Sequence, residues 1–141
     1  MRRFYAVIFL PLILLASCSK PDSFHTLTGT WELWAFEVPG EGTLFTQPHH
    51  VARPIVITFK DRGKRGKFTA QTVTNVAEGD YELLEDGGMV VKSLDGTLFG
   101  EPQWGEDFRN AFLQAESYEV QPGQLYIYFN DGKTRMNFEA K

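Results

Sequence analysis

One cysteine, three histidines and two pairs of adjacent carboxylates are the residues of this chain with chemistry to offer. Cys18 is the sole thiol, so it has no disulfide partner, and an exported protein keeps such a residue only if something consumes it. His49 and His50 are neighbours and His25 stands apart. Adjacent side chains on an extended backbone point to opposite sides, so a shared metal would need a turn, a third ligand and supporting groups that the sequence does not present. The pairs Glu85-Asp86 and Glu106-Asp107 fit a turn and a helix start better than a general acid and base. There is no Gly-x-Ser-x-Gly elbow and no phosphate-binding glycine loop. These residues predict a protein that is not an enzyme and that holds no metal and no cofactor.

What surrounds Cys18 explains it. Arg2 and Arg3 precede an apolar run from Phe4 to Ala16, followed by small residues, which is the order of a secretory signal. The run is shorter than the roughly 20 apolar residues of a membrane span. Leu15-Ala16-Ser17-Cys18 resembles the lipobox of bacterial lipoproteins, in which the thiol is acylated and the chain is cut before the cysteine. The alternative is an ordinary secretory signal. The resemblance implies a leader over residues 1–17, a lipidated tether over 18–26 and a folded domain over 27–141. Each buried methylene of an acyl chain contributes about 0.8 kcal/mol, so several chains on Cys18 make a permanent anchor. Ser19 in place of an aspartate implies, by analogy with enteric lipoproteins, sorting to the outer membrane, with the face left open.

A chain of 141 residues suits one domain with a single core. Its 43% hydrophobic and 23% charged residues are those of a globular protein, and 12 Phe, 5 Tyr and 3 Trp lean towards strands. Removing Arg2 and Arg3 with the leader lowers 14 basic residues to 12 against 18 acidic ones, so the formal charge of −4 becomes −6. Nucleic acid is not a partner for such a domain. Basic residues cluster in Lys60, Arg62, Lys64, Arg65 and Lys67. That run reads as a solvated hairpin turn with glycines at the unusual backbone positions, or as a contact with anionic headgroups or lipopolysaccharide phosphates.

Past the tether the period is two. Thr30–Glu37 is extended and aromatic, Ile55, Ile57 and Phe59 alternate, and Gly66–Val73 follows the basic turn. Asp80–Leu84 and Met89–Leu94 flank Glu85-Asp86-Gly87-Gly88, which suits a tight hairpin. Leu125, Ile127 and Phe129 lead through Asn130-Asp131-Gly132-Lys133 into Arg135–Phe138. Between them Phe108, Ala111, Phe112 and Ala115 have helical spacing, with Glu106 and Asp107 suited to the first turn. About eight short strands and one amphipathic helix, with no βαβ rhythm, predict a mainly β (α+β) fold: a small antiparallel barrel or curled sheet plugged or flanked by the helix.

The chain resembles the META domain family, which includes HslJ-like bacterial lipoproteins. Gly29-Thr30-Trp31 matches its opening, Asn75, Gly79 and Tyr81 its central pattern, and Thr97 the threonine before the helix. Gln124-Leu125-Tyr126-Ile127, Gly132 and Phe138 complete the order. Many members carry a cysteine before the asparagine and another after the threonine; here those places hold Thr74 and residues near Gly100-Glu101, so no thiol role carries over. Gly29-Thr30-Trp31 is also similar to the opening of lipocalins. The META resemblance implies a structural, stress-related or protein-interaction module, and the lipocalin one a carrier of an apolar small molecule or acyl chain. Trp31, Trp34, Phe36 and Trp104 are the candidate ligand or partner surface, and with strict alternation Trp34 and Phe36 share the face opposite Leu33 and Ala35. Asn75 is expected to cap a turn.

Replacing Cys18 by serine is expected to release the protein from membranes and abolish labelling by a fatty-acid analogue while leaving the fold unchanged. Intact-mass measurement of the mature protein checks that residues 1–17 are gone, and a labelled, membrane-bound Cys18→Ser variant overturns the anchor.

Overall fold

The computed structural model describes residues 26–97 and 99–141. The expected leader, Cys18 and the tether through His25 lie outside the described residues. The strands are β1 (Gly29–Val38), β2 (Thr43–Thr46), β3 (Ile55–Arg62), β4 (Arg65–Gln71), β5 (Val76–Leu83), β6 (Met89–Val91), β7 (Asp95–Gly96), β8 (Ser117–Gln121), β9 (Gln124–Phe129) and β10 (Thr134–Ala140), with one helix, α1 (Gln103–Leu113). Eight of them follow one antiparallel path, β6-β5-β4-β3-β1-β10-β9-β8, while β2 pairs with β1 and β7 with β5. The ends of the path meet where Met89 N–H donates to the Glu116 carbonyl at 2.9 Å and Gly88 bridges Ser117. The result is a nearly closed small barrel with one helix, the expected class. No described helix is long and apolar enough to cross a membrane.

Alternation makes the barrel's inner surface. Ile55, Ile57 and Phe59 from β3, Phe68 and Ala70 from β4, Leu125 and Ile127 from β9, and Met136 and Phe138 from β10 are all buried. Strand β1 departs from strict alternation: its register against β10 shifts between Leu33 and Ala35, so Trp34 is the extra residue of a β-bulge. Trp31, Leu33 and Phe36 therefore join the core while Trp34 is only half-buried, which corrects the expectation that Trp34 and Phe36 share a face. The bulge resolves the surplus of apolar residues in β1 by changing the phase of the strand.

Helix α1 closes the upper mouth. Phe112 packs edge-on against Phe68 at 4.9 Å, lies 6.2 Å from Phe59 and stacks on Phe108 at 5.5 Å. The helix starts three residues earlier than Glu106, so Trp104 extends the apolar face to 104, 108, 111 and 112. Only Glu106 falls in the first turn, while Asp107 instead accepts a hydrogen bond from Gln103 Nε2 at 2.7 Å.

The lower end is closed by the chain's own entry. Trp31 Nε1 donates to the Leu27 carbonyl at 3.0 Å, and the Tyr81 hydroxyl donates to Asp61. Burial and the neighbouring Asp61 carboxylate push the Tyr81 phenol far above its ordinary range. In the β3–β4 hairpin only Gly63 has a positive φ, 66°, whereas Gly66 is required by packing: a Cβ there would lie 2.3 Å from the Tyr81 ring. The expected tight hairpin at 85–88 is a longer connection, with a 3-10 turn over Glu85–Gly87 and Leu83 opposite Met89.

Phe112 is fully buried, so Phe112→Ala is expected to destabilise the domain by about 3–5 kcal/mol. Denaturant melts check this, and an unchanged midpoint would put the helix elsewhere.

Candidate functional site

Three groups of side chains stand out once the barrel is closed. The first is a polar clamp at the upper end, where the turn between β4 and β5 meets the segment leading into α1. Arg53 holds the turn from behind, donating from Nε to the Thr72 carbonyl at 3.0 Å and from Nη2 to the Asn75 carbonyl at 3.1 Å. Asn75 Oδ1 accepts from Phe99 N–H at 2.9 Å and from the Thr97 hydroxyl at 2.8 Å, and its Nδ2 donates to the Phe99 carbonyl at 2.8 Å. The asparagine thus does more than cap its own turn; it grips a segment more than twenty positions away.

Glu101 completes the clamp. It accepts from Asn75 Nδ2 at 2.7 Å, from Asn75 N–H at 3.1 Å, from Thr74 N–H at 3.3 Å and from the Thr72 hydroxyl. Gly105 leaves room for it, since a Cβ at that position would meet the carboxylate at 2.1 Å. Burial by itself raises the Glu101 pKa, but the hydrogen bonds from Thr72, Asn75 and Thr74 outweigh it and hold the carboxyl below its usual range. A carboxylate saturated with donors is a weak base, so its geometry suits fastening rather than proton transfer. A cleft of about 270 Å³ lies beside it, between Asn75, Thr97, Gly100 and Phe108. Four residues beyond Asn75, in β5, the same logic recurs: Gly79 admits the Ser93 carbonyl where a Cβ would come within 2.0 Å.

The second group is an aromatic cleft of about 550 Å³ between β1, β2 and α1. Phe36 meets Trp104 edge-on at 5.0 Å and Phe129 at 6.4 Å, with Phe45 and Pro48 on the rim. Phe45 is 58% exposed, and the buried Trp104 Nε1 has no hydrogen-bond partner among the described residues. Of the four aromatic candidates, Phe36 and Trp104 come together here. Trp31 belongs to the opposite end of β1 and Trp34 to the bulge.

The third group is the basic hairpin. Lys60 lies across from Lys67 and Arg62 across from Arg65, all four exposed. Lys64 pairs with Glu85 at 3.3 Å and Lys67 with Asp80 at 3.1 Å. His49 and His50 are both exposed in the β2–β3 loop, and no cluster of three or more metal-ligating side chains occurs among the described residues. Glu37, which sequence reasoning passed over, is held below the usual carboxylate range by Asn137 and by Arg135, whose Nε and Nη2 donate to it at 3.0 and 2.8 Å. Glu101 was equally invisible: a single acid before a proline carries no signal until Asn75 is placed beside it.

No protein-family model and no curated protein sequence matches the chain. Its fold is similar to an NMR structure of a protein from Burkholderia xenovorans, with a TM-score of 0.62, 22% identity, and 80% of this chain and 81% of that one covered. It is also similar to a DUF4847 family protein from Bacteroides vulgatus, with a TM-score of 0.57, 18% identity, and 81% and 93% covered. At these identities the likeness is one of fold.

Glu101→Gln keeps the shape but turns an acceptor into a donor facing N–H groups, and is expected to lower stability by about 1–3 kcal/mol. Because the folded-state pKa is depressed, the carboxylate's contribution is complete above about 4.5 and is lost as pH falls through the lower folded value. Thermal midpoints should therefore fall more steeply between about pH 5 and about pH 3 in the parent than in Glu101→Gln. Parallel pH profiles would remove Glu101 from the clamp.

Proposed function

We propose that this chain is a lipid-anchored, non-enzymatic protein of the cell envelope, similar in kind to META/HslJ-like lipoproteins, and that it works by contacting a protein partner. The observation that carries the reading is the filled interior. Phe112 rests against Phe59 and Phe68, and Leu27, Trp31 and Tyr81 close the lower end, leaving the lumen to packed side chains. A lipocalin-like carrier needs an enclosed apolar pocket, commonly some 300 Å³ or more.

The META resemblance gains a physical rationale in its residues. Asn75 and Thr97 bond to each other at 2.8 Å, Gly79 admits the Ser93 carbonyl, and Tyr81 closes the lower end. Thr74 and Gly100, near the places where many members carry cysteines, are joined by a hydrogen bond of 3.0 Å from the Thr74 hydroxyl to the Gly100 carbonyl. The open cleft that the exposed Phe45 rims, floored by the buried Phe36 and Trp104, is the surface best suited to a partner, since open apolar surface marks contact sites. Outer-membrane sorting follows from the same reading through Cys18 and Ser19.

A second reading has one observation in its favour: the cleft's volume and the unpartnered Trp104 N–H suit an apolar molecule bearing an acceptor oxygen, held outside the barrel. Titration of the chain that follows Cys18 with a fluorescent fatty acid separates the two. Weak, unsaturable binding is the expected result. Saturable one-to-one binding, lost in Trp104→Phe or Phe45→Ala with the fold intact, makes ligand carriage the function.

A further inference from the structure

We propose that the lower end of the barrel, where the chain enters beside the β3–β4 hairpin, is a docking surface for anionic phospholipid headgroups. The position of the entering chain is set by Asp61. Its carboxylate, on the same side of β3 as Ile57 and Phe59, accepts from the Thr26 hydroxyl at 2.6 Å, from Leu27 N–H at 2.7 Å and from Thr28 N–H at 3.3 Å. In return Thr28 Oγ1 accepts from Asp61 N–H at 3.1 Å. Residues 26–28 are thereby fastened to the middle of the basic run, and the β3–β4 turn lies at the end of the barrel from which β1 starts, since Gly29 pairs with Phe59.

Charge singles out the same end. Five of the 12 basic residues after position 17 fall between Lys60 and Lys67, in a chain whose formal charge there is −6. Around them, Glu85 and Asp80 pair with Lys64 and Lys67, and Glu82 sits between Lys92 and Arg65. Lys60 and Arg62 form no ion pair among the described residues. Like charges directly opposed across a sheet are unfavourable, and this hairpin has two such pairs, Lys60 with Lys67 and Arg62 with Arg65. A plane of negative headgroups relieves that repulsion and attracts basic residues near its surface. The acidic remainder of the domain is repelled, which orients the molecule with its aromatic cleft and clamp away from the bilayer.

Reach agrees. Cys18 lies eight residues before Thr26, at most about 28 Å of extended chain. A domain of this size has a radius of gyration of about 13 Å and so spans a greater distance from end to end. The tethering of this end rests on acylation of Cys18, but the attraction of the hairpin and the orientation it imposes do not, so the two can fail separately.

The test uses the chain from Ser19 onwards, which contains all the described strands, the helix and the described core. It is sedimented with phosphatidylcholine vesicles, with and without about 30 mol% phosphatidylglycerol, in low and high salt. Binding only to the anionic vesicles, lost in high salt, is expected. Lys60→Gln/Arg62→Gln should weaken it by about thirtyfold. Arg109→Gln/Lys133→Gln, which removes the same charge at the upper end, should change it by less than about threefold. Thermal midpoints equal to the parent's establish that the variants are folded. Equal binding to neutral vesicles, no binding to anionic ones, or equal loss in the two double variants overturns the proposal. Vesicle binding without fatty-acid labelling of Cys18 in cells keeps the surface and removes the anchor; labelling without vesicle binding does the reverse.

Discussion

The ring of Phe112, buried between Phe68 and Phe59, is the point at which the helix and the sheet become one core. A single antiparallel sheet curled this tightly has an interior that must be filled, and its own inward residues meet only part of that need. Helix α1 supplies the remainder from Trp104, Phe108, Ala111 and Phe112, a stripe that runs from β1 at Phe36 to β4 at Phe68. The helix cannot take this position unless the segment before it is held, which is the work of Asn75 and Glu101. Core and clamp are therefore one constraint seen from two sides.

The two ends of the barrel are built differently. The lower end is sealed by Trp31, Leu27 and the Tyr81–Asp61 hydrogen bond, with charged side chains around it. The upper end carries the polar clamp and, beside it, the aromatic cleft. Such a division suits a molecule with one end committed to its attachment and the other to a partner, which is the reading proposed for this chain. It also gives Asp61, an acid inside a run of cations, a structural role: its carboxylate joins the entering chain to the hairpin and to Tyr81 at once.

Some glycines in this protein act through what they let approach. Gly66 lies under the Tyr81 ring, Gly79 against the Ser93 carbonyl and Gly105 against the Glu101 carboxylate, and none of the three has a positive φ. Gly66 and Gly79 mark close contacts with residues well separated in sequence, Gly105 a contact with a residue just before its own helix, and two of the three sit next to functional candidates. The glycine in the pattern of Asn75, Gly79 and Tyr81 is thus as much a packing residue as the tyrosine that follows it.

The class of the fold is legible in the order of residues, because alternation in β3, β9 and β10 and the helical spacing of Phe108, Ala111 and Phe112 are local properties of burial. That order also locates the basic hairpin and the residues from which the aromatic surface is drawn. How those residues are shared out depends on the closed barrel. The bulge at Trp34 exists because β1 must pair with β10 across a register shift, which no period in β1 announces. Trp31 and Trp104, alike in type, part company because one lies at the start of a strand and the other at the start of the helix. Glu101 became a clamp residue only when the turn at Asn75 came within hydrogen-bonding distance, 26 positions away along the chain. Contacts of that separation are set by the closure of the whole barrel, and a pattern read over a few neighbouring residues carries no trace of them.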